Sequence, residues 1–199
     1  FQEGPLQYTV AFGHKKLLLF DKTKELKISL TDRQQHQEAP NKDGFVIGGV
    51  NTNETIAGLK EISGLSIPEI ERRARPEYYS RSGFISANDK FLDILAADNT
   101  FIRRQGMTHQ QIAEPLFYVV NLLGKVGSWG ESVEFRYKGV QYKAGYTQWR
   151  GSQQSIFNDH LIASRDYWVT NINRGITIKF SEILPDYIWR YGFYEGHTA

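Results

Sequence analysis

Apolar and polar positions alternate along SVEFRYKGVQYKAGYTQW, residues 132–149, and this period of two predicts half-buried β structure folding back at Lys138-Gly139. RDYWVTNI and GITIKF read as a further hairpin around Asn173 to Gly175. Strand character is also present near the start, in LQYTVAF, KKLLLFD and ELKISL, before the polar loop TDRQQHQEAPNKDG and the short apolar run FVIGGV.

Between these stretches the period changes. NTNETIAGLKEISG and SIPEIERRAR predict two short helices, with Asn and Thr caps on the first, Ser66 as N-cap of the second, Pro68 in its opening turn and Pro76 as its stop. In SANDKFLDILAADNTFIRRQG, Ser86 reads as a cap, Phe91, Ile94, Leu95, Phe101 and Ile102 recur at helical spacing, and Gly106 ends the run. Thr108 then caps a helix striped by Ile112, Leu116, Val119, Val120 and Leu123, which Pro115 is expected to kink or restart. The tail LPDYIWRYGFY opens with a proline at a helix start and is aromatic enough to dock on a sheet.

Strands, then helices, then strands give an α+β fold, with antiparallel strands from the N- and C-terminal thirds packed on a central helical segment. We read residues 1–199 as one domain: a β region at 1–50, helices at 51–124, and a β region with a C-terminal helix at 131–199. Strands and helices do not alternate, which disfavours a doubly wound parallel sheet.

Composition narrows the functional classes. Of 199 residues 40% are hydrophobic and 14% aromatic, enough for a substantial core, while the formal charge of +2 provides no global field for polyanions. The absence of cysteine removes disulfides, thiolate catalysis and cysteine-ligated zinc. The longest apolar run falls well short of the roughly 20 residues a membrane helix needs. A soluble chain leaning to the cytoplasm is the expectation, although the start at Phe1 leaves a removed leader open.

Four places are candidates for chemistry. Gly48-Gly49 in FVIGGVNTNETI resembles a phosphate turn at a helix start, but no complete glycine-rich phosphate motif is present, and a plain turn is favoured; GKVGSWGE reads as a flexible connection. LKEISGLSIPEIERRARPEYYSRS has spacings similar to a helix-turn-helix, with Arg72, Arg73, Arg75 and Arg81 available for phosphates and Tyr78 and Tyr79 for bases. Lys60 and Ser63 depart from that pattern, and Glu69, Glu71 and Glu77 offset the arginines. His109 and Glu114 in GMTHQQIAE are five apart, the wrong spacing for one helical face, and the five histidines are scattered, so no metal set is expected and a structural or exposed histidine is favoured.

YTQWRGSQQSIFNDH, residues 146–160, is the richest candidate. Tyr146, Trp149 and Phe157 provide stacking faces, Gln148, Arg150, Gln153, Gln154 and Asn158 planar donors, and Asp159 with His160 an acid/base pair. Adjacent residues seldom point the same way, which weakens that pair. We expect a long loop between strands, and a polar-aromatic segment 146–168 that holds a small polar ligand such as a sugar, nucleotide or peptide, with hydrolysis as a secondary possibility. Nucleic-acid binding through 59–81 and a protein-interaction module docking its aromatic tail are the alternatives. No motif specifies a cofactor.

Overall fold

The computed structural model describes residues 52–195. The strands read in residues 1–50, the Gly48-Gly49 turn and the last four positions lie outside these residues.

Two short helices open the described fold. α1 (Thr52–Ser63) ends at Gly64, whose φ of 67° turns the chain, and α2 (Ile67–Ala74) begins at Ser66, which accepts the Glu69 N–H as a side-chain cap. α2 buries Ile70 and Ala74 on one side and carries its charges on the other. α3 (Phe91–Arg104) starts later than the sequence suggests. Ser86 is not its cap: the Ser86 N–H donates to Asp89 Oδ2, so these residues form a separate turn ahead of the helix.

α4 (His109–Val126) is fixed by a capping box, in which Thr108 and Gln111 bond reciprocally through side chain and backbone. The helix runs through Pro115 as one element, and Pro115 is buried with Ile112, Leu116, Val119 and Leu123. Burial of that stripe outweighs the one backbone hydrogen bond that proline removes.

The sheet is a four-stranded antiparallel meander in the order β1 (Ser132–Tyr137), β2 (Val140–Gln154), β3 (Ile162–Asn171) and β4 (Ile176–Ser181). Lys138 and Gly139 both have positive φ, 46° and 80°, the paired geometry of a two-residue hairpin turn. Val133, Ala144, Val169 and Ile178 lie in one cross-strand row, and Tyr146, Tyr167 and Phe180 in another. These rows face α4 and α5 (Leu184–Tyr191) and form the larger core cluster. The opposite face is mostly polar, with Lys143, Thr147, Asp166, Thr177 and Lys179 exposed.

A second apolar cluster joins α1, α2 and α3 to Ile156 and Phe157. α5 belongs to both. Leu184, Ile188 and Trp189 enter the sheet cluster, while Tyr187 and Tyr191 enter the helical one. The aromatic tail thus docks on the sheet, as its composition suggests, and is walled in from behind as well. The α+β architecture stands, with helices packed against one face of an antiparallel sheet.

Candidate functional site

The expected loop at 146–160 is largely a strand. β2 continues to Gln154, and its pairing with β3 jumps from Gln148 opposite Arg165 to Gln153 opposite Ala163. Trp149, Arg150, Gly151 and Ser152 therefore stand against the single residue Ser164. The surplus is an enlarged, irregular bulge that turns polar side chains to solvent without ending the ladder. Only residues 155–161 remain as a connection.

This rearrangement separates the residues of the sequence-based site. Tyr146 points into the sheet core, 5.8 Å from the Tyr167 ring, with the Arg165 guanidinium 4.9 Å above it. Trp149 and Arg150 sit exposed on the bulge, and Trp149 Nε1 donates to Asp166 Oδ2 at 2.9 Å. Gln153 has returned to the ladder. Asn158 and His160 are exposed at the turn, and His160 has φ of 61°.

Asp159 turns the other way. Its side chain is fully buried; Oδ1 accepts the Leu161 N–H at 3.1 Å, and Oδ2 accepts the Tyr191 hydroxyl at 3.0 Å and lies 3.5 Å from Arg190. No hydrogen bond joins Asp159 to His160 among the described residues. The left-handed backbone at His160 helps send the two side chains apart, so the carboxylate anchors the turn to α5 and leaves the imidazole on the surface.

The same turn is pinned at other points. Ser155 N–H donates to the Leu161 carbonyl, Ile156 N–H to the Tyr187 hydroxyl, and the Phe157 ring stacks on Tyr191 at 3.6 Å between centroids. Burial pushes the Tyr187 and Tyr191 phenols far above their usual range, which keeps them neutral hydrogen-bonding groups.

A pocket of about 170 Å³ opens beside this turn, where α2 and the segment after it approach the ends of β2 and β3. Arg73 and Tyr79 form the helical wall; Gln154, Asn158 and His160 line the strand side, and Phe157, Leu161 and Ile162 give it an apolar flank. Asn158 and His160 from the sequence-based site are thus brought together, joined by Arg73 from the nucleic-acid alternative. Gln154, one of the amides singled out in the sequence, is there as well, whereas Ile162 was not picked out and Arg73 and Tyr79 were not joined to this stretch, because the approach of α2, about 80 positions away in the chain, leaves no local signal.

The arginines of α2 are engaged with neighbouring acids. Glu69 receives Arg72 through both oxygens, at 2.7 and 3.0 Å, and Arg73 Nε at 3.1 Å. These bonds, Arg72's foremost, hold the Glu69 carboxyl down at about 2. The Arg72 guanidinium also lies 4.6 Å over the Tyr78 ring, and Arg75 pairs with Glu71 and donates to the Ser86 carbonyl. Arg81 is exposed.

His109 is a core residue, with Nδ1 3.0 Å from the Tyr194 hydroxyl and Nε2 2.9 Å from Asn99 Oδ1. It ties α3, α4 and the C-terminal tail together. Among the described residues no cluster of three His, Asp or Glu side chains could hold a metal ion, and no helix is long and apolar enough to cross a membrane. Compared with known proteins, the chain is matched by no family model, no curated protein and no solved structure.

Proposed function

We propose that this is a binding domain for a small polar ligand, held in the pocket between α2 and the β2–β3 turn. The observation that carries this reading is the convergence of Arg73, Tyr79, Gln154, Asn158 and His160 on one concavity with an apolar flank. Ligand sites characteristically combine an apolar wall with a few placed polar groups. The volume, about 170 Å³, is below the roughly 300–1,000 Å³ of drug-sized sites. A sugar ring or a single amino-acid-sized group fits that scale better than a whole nucleotide.

Binding is favoured over hydrolysis. General acid/base work by His160 needs a partner that sets its tautomer or shares its proton, and the neighbouring carboxylate is committed to Tyr191, Leu161 and Arg190. The rigid seat of the turn serves recognition, since wall residues on a fixed loop lose little freedom when a ligand arrives.

The test is the ligand-induced rise in melting temperature across a panel of monosaccharides, amino acids and small organic acids. Asn158→Ala and His160→Ala should melt near the wild-type temperature and lose the rise, whereas Arg150→Ala, on the bulge, should keep it. A wild type stabilised by no compound in the panel, or an Asn158→Ala, His160→Ala double variant with the full rise, would sink the reading.

A further inference from the structure

Resting on that pocket reading, we propose that the group taken there is a carboxylate on a small apolar body, about the size of benzoate. Charge comes first. Arg72 and Arg73 share one carboxylate, Glu69, so two cations face one anion and a single positive charge is left at the pocket wall. Arg73 reaches Glu69 through Nε, which leaves its two terminal nitrogens as the donors for an incoming pair of oxygens. A guanidinium presents those donors in a planar fork that fits a carboxylate.

The rest of the wall sharpens the choice. No acid lines the pocket, because the Asp159 side chain is buried on the far side of the turn. An α-ammonium group would find no counter-charge, which disfavours a zwitterionic amino acid. One surplus positive charge suits a monoanion better than a phosphate dianion. Gln154 and Asn158 add neutral amide donors, and Phe157, Leu161 and Ile162 offer a surface for an apolar body. At about 170 Å³ the space holds roughly five to six waters, close to the bulk of one aromatic acid.

The probes are sodium benzoate, benzamide as its uncharged counterpart, phenylalanine, glucose and inorganic phosphate, titrated into the whole chain at low salt and followed by amide chemical shifts. Benzoate should give saturable shifts centred on Tyr79, Asn158, His160 and Ile162. Benzamide and phenylalanine should bind at least about tenfold more weakly, as expected on losing a charge-assisted hydrogen bond or adding an unpaired charge. Arg73→Gln should bring benzoate to the benzamide level. Glu69→Gln, which frees Arg73 from its competitor, should tighten benzoate severalfold, and it carries the test alone if Arg73→Gln fails to fold. Benzamide, glucose or phosphate binding at this pocket as tightly as benzoate, or Glu69→Gln without effect on benzoate, would overturn the carboxylate and leave the pocket reading standing. No shift at these residues with any probe would end both.

Discussion

Asp159 illustrates how one side chain can look catalytic in sequence and be structural in the fold. Its carboxylate is buried and fully occupied by a phenol, a backbone N–H and a nearby guanidinium. Removing such a group strands its partners: Tyr191 is itself fully buried, and its hydroxyl would lose its acceptor. Asp159→Ala is therefore expected to cost about 3 kcal/mol in urea unfolding. Asp159→Asn, which retains an acceptor oxygen, should cost less. A loss within about 0.5 kcal/mol for the alanine variant would show that the turn holds without this anchor. His160, next in sequence, escapes that role because its left-handed backbone carries it to the opposite side.

At the scale of elements, the outer face of the sheet depends on a close approach. Gly145 in β2 lies opposite Trp168 in β3, and a Cβ there would stand 2.8 Å from two indole carbons and 2.9 Å from the Glu131 carbonyl. The indole could swing away; the carbonyl belongs to the backbone entering β1. Gly145→Ala should thus destabilise by about 1–3 kcal/mol and shift the tryptophan fluorescence, both measurable in one denaturant titration. Unchanged stability with unchanged emission would mean that β1 and β2 yield freely.

Several elements were legible in the sequence because their signals are local. Lys138-Gly139 fits a two-residue turn, Thr108 and Ser66 fit caps, and the alternation from Ser132 onward announces the pleat. The bulge at Trp149 to Ser152 was not legible, since a polar run with no alternation reads as a loop, and only pairing across Ser164 keeps it in the ladder. For the same reason Gln154, Asn158 and His160 were picked out while their companions Arg73 and Tyr79 were not assigned to them. Composition marks a polar turn; tertiary packing decides what faces it.

For the molecule as a whole, the aromatic density of the tail has an electrostatic side. Burial holds the phenols of Tyr187, Tyr191 and Tyr194 well above their ordinary values, Tyr187 and Tyr191 also feeling the negative charge of Asp159 and Tyr194 that of Asp98. A phenol whose folded value is raised stabilises the fold fully below the unfolded value of about 10, and this contribution drains away as pH climbs towards the folded value. The three together remove about 4 kcal/mol per pH unit above pH 10, against a total stability of about 5–15 kcal/mol. Alkaline titration should therefore show these phenols ionising only in step with loss of circular dichroism. Tyrosinate absorbance accounting for all three while the fold is intact would contradict their burial.

The position of α5 in the chain also bears on synthesis. Both apolar clusters draw on residues 183–194, so neither can be completed from the helices and strands that precede them. Until residues 183–194 have been added, the emerging chain exposes two unfinished apolar faces. Arrival of one eight-residue helix closes both at once. Folding of this region should consequently wait for these residues and proceed as a single event, and a chain cut before Ile183 should behave as a chaperone client rather than as a smaller domain.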